Sequence, residues 1–331
     1  MGGSFSKKPQ FDPSKDIPDL TGKVAIVTGG NAGLGYATVQ HLVRHGAKVY
    51  IGARSEERAK AAIERLRAEG LQPGNGELEW LEVNLSDPAK AKQAAEAFLQ
   101  KESRLDILVN NAGVMRIPYN VDGKYGIHEN MLVNHVSPFV FTNTLKPLLT
   151  KTAKELGSDV RVVMVSSHLV STLKGRDIRF RDVNDFNEKF GNNIYSDMRR
   201  YALSKLANIL FAKEFQRRVD FEGIPITALS IDPGSVNTEG VYKDPSLRMP
   251  IIGPIFKLLF PRIFLTPTVG AYPSVFAAAS PVVKEEKDKY KGACIVPPCK
   301  LAVPPCPHAE NKELAEELWN TTETILKKFA L

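Results

Sequence analysis

Cysteine is scarce in this sequence. Cys294, Cys299 and Cys306 are the only three in 331 residues, and all stand in one proline-rich stretch, ACIVPPCKLAVPPC. An odd set confined to one short segment argues against a disulfide framework and predicts reduced thiols. His308 stands two residues beyond Cys306, but that spacing fits none of the usual zinc patterns, so no metal is expected.

Long hydrophobic runs are missing as well. MGGSFSKKPQFDPSKD lacks an apolar run of the length a secretory signal needs. No stretch of about 18 uninterrupted apolar residues occurs, which argues against a single membrane-spanning helix. The most apolar region, Met249 to Leu265, is broken by Pro, Gly, Lys257 and Arg262, and suits a membrane surface better than its interior. Nor is charge of one sign concentrated. The net charge of +7, from 44 basic and 37 acidic residues, is spread over mixed-sign faces such as SEERAKAAIERLRAEG. That disfavours nucleic acid as a partner while tolerating an anionic ligand or an anionic membrane. Internal repeats and low-complexity tracts are absent, so one domain is expected.

What is present is ordinary globular composition, 43% hydrophobic and 24% charged. Residues 1–20 are polar and carry Pro9, Pro13 and Pro18, which predicts a flexible N-terminal arm ahead of a domain over 21–331. Beyond it, VAIVT (24–28), KVYIG (48–52), LEWLEV (78–83), LDILVN (105–110), RVVMVS (161–166) and ITALSI (226–231) read as strands. They alternate with amphipathic helical patterns such as YATVQHLVRHG and AKQAAEAFLQKE. This is the rhythm of βαβ units, and it predicts an α/β fold with a Rossmann-type doubly wound parallel sheet. The C-terminal stretch, 309–329, reads as an amphipathic helix docked on the domain.

The first strand runs directly into TGGNAGLG, Thr28 to Gly35, and then into a helix. Glycines let the backbone turn sharply and approach a pyrophosphate, while the N–H groups opening the next helix face its charge. The spacing is TGxxxGxG, with Thr28, Gly29, Gly33 and Gly35 in its fixed places, and here the chain resembles the short-chain dehydrogenase/reductase family. NAD-binding folds place an acid at the end of the second strand to hold the ribose 2′-hydroxyl. In YIGARS that position is Ala53, followed by Arg54, whose permanently charged fork suits a 2′-phosphate. NADP(H) is therefore the expected cofactor.

YALSK places Tyr201 and Lys205 four residues apart, on one face of the helix that continues through SKLANILFAKEF. A neighbouring cation lowers a phenol's pKa, so the pair suits proton exchange with a carbonyl or alcohol oxygen. By resemblance to the family, Ser167 of RVVMVSSHL is the catalytic serine, and Ser166 is a structural or cofactor-side hydroxyl. Asn134 of MLVNHVSPF matches the asparagine that supports a proton-relay water beside the lysine. The NNAG segment (Asn111, Ala112, Gly113) walls the cofactor site, and DPGSVNT resembles the loop closing over the nicotinamide, with Pro233, Gly234, Val236 and Thr238. Further cofactor contacts implied by the resemblance come from Asn31, Leu34, Asn84 and Leu85.

The resemblance spans about residues 20 to 290 and is nearest to the retinol-dehydrogenase-like branch, with the WW-domain oxidoreductases and many fungal members. LDILVNNAGVM, the Asn134–His135 pair and SKLANILFAKEF carry it. There are departures. Asn84 stands where the family usually has an Asp that accepts from adenine; its amide oxygen could still accept. Ser167 and Tyr201 are 34 residues apart, and the added segment, 168–200, reads as a surface excursion beside the site. Tyr195 lies inside it with no lysine four residues on.

The implied reaction is hydride transfer between the nicotinamide and a carbonyl or alcohol, mainly as a reductase. The apolar stretch 241–270 suggests a lipophilic aldehyde, ketone or alcohol as substrate; packing as a lid or homodimer surface explains it equally well. A non-catalytic NADP(H) sensor or scaffold is the competing reading, which the complete set of catalytic residues opposes. Finally, Gly2 with Ser6, followed by Lys7 and Lys8, matches an N-myristoylation signal. It raises the expectation of a cytoplasmic enzyme held peripherally on a membrane, with Lys7 and Lys8 or the 249–265 segment as the second signal.

Overall fold

The computed structural model describes residues 11–115, 117–193, 195–237 and 264–331. The six expected strands form as β1 (Val24–Thr28), β2 (Lys48–Ala53), β3 (Leu78–Glu82), β4 (Ile107–Asn110), β5 (Val160–Val165) and β6 (Ile226–Ile231). Two short ones follow, β7 (Cys294–Val296) and β8 (Lys300–Ala302). They form a single sheet in the order β3-β2-β1-β4-β5-β6-β7-β8. Every pairing is parallel except that of β7 with β8. The strand order reverses between β1 and β4, which opens a crevice at the carboxyl ends of the strands.

The helices are α1 (Gly33–Arg44), α2 (Glu56–Glu69), α3 (Pro88–Lys101), α4 (Ser137–Ala153), α5 (Ser196–Phe221), α6 (Tyr272–Ala279) and α7 (Lys312–Lys327). Because side chains alternate along a strand, the sheet feeds two separate cores. Ala25, Val27, Val49, Ile51, Val109, Leu229 and Ile231 pack under α1, α2 and α6. Val24, Ile26, Leu108, Val162, Met164 and Ala228 face α3, α4, α5 and α7. On this second face Trp319 of α7 stacks on Phe211 of α5, with centroids 5.5 Å apart and planes at 12°.

Two expectations are revised by packing, and a third segment gains structure. The arm over 1–20 is not free throughout: Phe11, Ile17 and Leu20 are buried, and Phe11 meets Phe276 edge-on at 5.1 Å. An aromatic and two aliphatic side chains among prolines were enough to dock it. The cysteine segment, where the sequence marks no strand, supplies β7 and β8. Three-residue strands are too short to show a period; β7 is revealed by its pairing with β6, and β8 by its pairing with β7. The 168–200 insertion is not merely a surface excursion, since Leu173, Phe180 and Phe186 lie in the core. Arg179 pairs with Glu317 of α7, and His308 Nε2 lies 2.8 Å from the Arg176 carbonyl, tying the insertion to the C-terminal helix. No helix among the described residues is long and apolar enough to cross a membrane.

Candidate functional site

The turn after β1 is shaped by what its residues lack. Gly29 and Gly33 have φ of +66° and +54°, left-handed values that cost a side chain energy. At Gly35 a Cβ would lie 2.3 Å from the Gly29 carbonyl oxygen and 2.5 Å from Asn111 Nδ2, so only glycine fits. Thr28 locks this turn to the strand next door. Its Oγ1 accepts from the N–H groups of Asn111 and Ala112, both at 3.0 Å, and its carbonyl accepts from Asn111 Nδ2 at 2.8 Å.

Three of the other helices are closed by side chains at their amino ends: Ser55 caps α2, Asp87 caps α3 and Asn311 caps α7. The amino end of α1 has no side-chain cap and no acid in its first turn. Unsatisfied N–H groups and the positive end of the helix dipole therefore face the crevice, which is the donor set a pyrophosphate needs. Asn31 is half-buried in this turn, and Leu34 is buried behind it.

Ala53 is buried at the end of β2, and its carbonyl accepts from Trp80 Nε1 at 3.0 Å. Arg54 is exposed beyond it, with no hydrogen bond or ion pair to a described residue. Asn84 differs from expectation. Its Oδ1 accepts from the N–H of Ser86 at 3.0 Å and from the Ser86 hydroxyl at 2.7 Å, so the oxygen expected to meet adenine is already engaged. Leu85 beside it is buried.

Across the crevice the structure brings together Asn134, Ser167, Tyr201 and Lys205. Asn134 lies in a π-helical turn, Leu132–Val136, leading into α4. Its Oδ1 accepts from the Val114 N–H at 2.7 Å, and its Nδ2 donates to the Val114 carbonyl and the Ser204 hydroxyl, both at 2.9 Å. Ser167 caps a 3₁₀ helix, His168–Leu173, while Ser166 donates to the Lys205 carbonyl at 2.8 Å and so braces α5. Lys205 is 3% exposed, its Nζ donating to the Val165 carbonyl at 2.9 Å and lying 5.7 Å from the Tyr201 ring centroid. A Cβ at Gly113 would fall 3.3 Å from that Nζ and 2.9 Å from Asn134 Oδ1, so the NNAG glycine gives the lysine and the asparagine room.

The electrostatics depart from the sequence-based expectation. Burial pushes the Lys205 ammonium down to about 8. Burial raises the Tyr201 phenol, the Asp232 carboxylate adds to the rise, and a hydrogen bond with Ser167 opposes it. In the protein alone, desolvation outweighs the Ser167 hydrogen bond and keeps the phenol protonated, poised to donate.

The DPG loop follows β6. Gly234 has φ +74°, and its N–H donates to Asp232 Oδ1 at 2.9 Å. Pro233 is half-buried and Val236 buried, and Leu265 hydrogen-bonds through its backbone to Ser235 and Asn237. Thr238 lies outside the described residues, as do Gly2, Ser6, Lys7, Lys8 and residues 241–263 of the apolar stretch. Tyr195 is half-exposed at the start of α5, six residues before Tyr201. Among the described residues no cluster of His, Cys, Asp or Glu could hold a metal.

Sequence reasoning missed Asn208, His168 and Asp232 as site residues. Asn208 Nδ2 donates to the same Val165 carbonyl at 3.0 Å, and His168 Nδ1 lies 3.8 Å from Asp232 Oδ1. A buried asparagine within the apolar run SKLANILFA, three residues after the lysine, was the available signal for the first. For the pair there was none, because the two residues are 64 positions apart.

Comparison with known proteins gives a consistent answer. A family model described as short chain dehydrogenase matches residues 23–173. The chain is 42% identical over 311 residues to a short-chain dehydrogenase/reductase of Armillaria gallica, covering 94% of this chain and 95% of that one. It is 35% identical to human retinol dehydrogenase 14, covering 93% of this chain and 87% of the relative. A crystal structure of an uncharacterised protein from Mycobacterium paratuberculosis superposes with a TM-score of 0.69 at 26% identity, over 96% of this chain and 97% of that one. Solved structures sharing the fold include complexes with NADP, NADPH and NADH.

Proposed function

Since the chain belongs to the short-chain dehydrogenase/reductase family, whose members are NAD(P)(H)-linked oxidoreductases, we propose that it is an NADP(H)-dependent enzyme interconverting carbonyl and alcohol groups of a lipophilic substrate, chiefly in the reducing direction. The observation that carries this is the convergence of Asn134, Ser167, Tyr201 and Lys205 beside a glycine-built turn and an uncapped helix start.

The residues present fit such a cofactor. The glycine turn and the amino end of α1 would hold the pyrophosphate, Arg54 the 2′-phosphate, and Lys205 the nicotinamide ribose. When bound, the cofactor supplies or accepts the hydride. The chain itself does the rest. Ser167 Oγ orients the substrate oxygen, and Tyr201 Oη gives it a proton in reduction or takes one in oxidation. Asn134 fixes the loop at Val114, and the buried Lys205 keeps a positive charge beside the phenol.

Arg54, exposed and without a carboxylate partner among the described residues, and Ala53 in place of an acid support NADP(H) over NAD(H). A lipophilic substrate is supported by the similarity to retinol dehydrogenase 14 and by the apolar composition of 241–270. A panel of apolar aldehydes and ketones, followed by oxidation of NADPH and separately NADH, tests the reading. Turnover with NADPH preferred is expected. A clear NADH preference would refute the cofactor assignment, and NADPH binding without turnover on any compound would favour the sensor or scaffold. For location we propose acylation at Gly2 with Lys7 and Lys8 adding attraction to an anionic membrane. Intact-mass measurement from a eukaryotic host showing unmodified Gly2 would dismiss it.

A further inference from the structure

The carbonyl of Val165, the last residue of β5, accepts two side-chain hydrogen bonds: from Lys205 Nζ at 2.9 Å and from Asn208 Nδ2 at 3.0 Å. Both donors come from one face of α5, three residues apart, and both are buried, at 3% and 2% exposure. Asn208 is itself left incomplete, because its Oδ1 is buried with no hydrogen-bond partner among the described residues. An isolated amide in an apolar helix run, with half its capacity unused, costs desolvation, so its retention needs a reason. In the protein alone the lysine already satisfies the carbonyl. The asparagine becomes necessary when the lysine is drawn elsewhere.

We infer that Asn208 is a positioning residue that releases Lys205: it holds the Val165 carbonyl when the ammonium turns toward the nicotinamide ribose, so that binding the cofactor does not strand a buried acceptor. The inference rests on the proposed role of Lys205 and adds a reason why that lysine can move. Without Asn208, engaging the ribose would expose the full cost of an unpaired buried carbonyl. Asn208 touches neither substrate nor cofactor, and its effect runs through the lysine.

The test compares Asn208→Leu, with the same number and branching of side-chain heavy atoms but none of them polar, with the wild type. A purely structural role would lower the melting temperature of the cofactor-free protein and leave affinity alone. The release role predicts the reverse. Cofactor-free Asn208→Leu should melt within a few degrees of wild type, since Lys205 remains on Val165 and the orphaned Oδ1 is gone. Its Kd for NADPH, read by calorimetry, should rise roughly tenfold or more. A Kd within twofold of wild type would overturn the inference.

A second measurement needs no cofactor. In a Lys205→Met background the carbonyl depends on Asn208 alone, so adding Asn208→Leu there should destabilise far more than in the wild-type background. Additive effects in this cycle would overturn the inference whatever binds. A wild type that binds NADH instead of NADPH would refute the cofactor preference only, and the affinity comparison is then made with NADH. Should Asn208→Leu fail to fold, Asn208→Ala takes its place in both arms.

Discussion

The two walls of the crevice are built on opposite principles. The wall proposed to hold the cofactor, Thr28 to Gly35 with the start of α1, works by lacking side chains at Gly29, Gly33 and Gly35: there backbone approaches backbone, and free N–H groups present the charge. The catalytic wall works by burying ionisable side chains, a lysine at 3% exposure and a tyrosine at 8%, and braces them with amides and carbonyls. The first wall is therefore sensitive to added atoms and indifferent to pH. The second is sensitive to removed polar atoms and should respond to pH.

The strongest way to break this contrast is Tyr201→Phe, which removes one oxygen from the catalytic wall. Turnover should fall by about 10³-fold, within the range of general acid–base contributions, while NADPH affinity stays within about twofold. Steady-state kinetics with a calorimetric Kd decides it, and an active variant would remove Tyr201 from the mechanism. Next comes Arg54→Ala, which should weaken NADPH roughly tenfold or more and leave NADH unchanged, as expected for charge-assisted bonds to a 2′-phosphate.

Gly35→Ala adds one carbon to the backbone-built wall, 2.3 Å from a carbonyl oxygen that cannot yield. It should cost about 1–3 kcal/mol in thermal unfolding and weaken cofactor binding at every pH tested. Lys205 gives the contrasting case. Its folded pKa lies near 8, below the ordinary 10.5, so its buried charge costs stability below about pH 8. That cost is relieved as pH rises between about 8 and 10.5, where the unfolded chain binds more protons. Its contribution is thus a stability that increases across this window and vanishes in Lys205→Met, as melting temperature against pH would show. Cofactor kcat/KM should fall over the same alkaline range as the ammonium is lost.

The smallest effect is expected from Asp232→Asn, which keeps an acceptor for the Gly234 N–H. Asp232 raises the pKa of His168, giving stability that is present below the ordinary 6.5 and lost as pH rises through the raised value. His168 is half-exposed, so that stability is slight. The substitution should return the imidazole toward its ordinary titration by NMR and ease deprotonation of Tyr201; an unmoved His168 curve would remove the pair from the site.

Much of this was legible in the sequence. The six long strands declared themselves by β-branched runs, and the glycine turn by its place between strand and helix. What stayed hidden shares one property. β7, the buried phenylalanines of the insertion and the His168–Asp232 pair all depend on partners far away in sequence, and no local period reports such a partner. Asn84 is a different case: its type was legible, but not that Ser86, two residues on, engages its oxygen.

The sequence alone determined the class of fold, the family and the chemical types available to the site, because glycine spacing, strand period and a tyrosine one turn from a lysine are local properties of the chain. Tertiary structure decided their state. Whether the phenol is protonated, how far the ammonium is depressed and which carbonyl it shares with Asn208 follow from how much water packing removes and which dipoles remain, and those are fixed only when β5, α5 and the DPG loop meet.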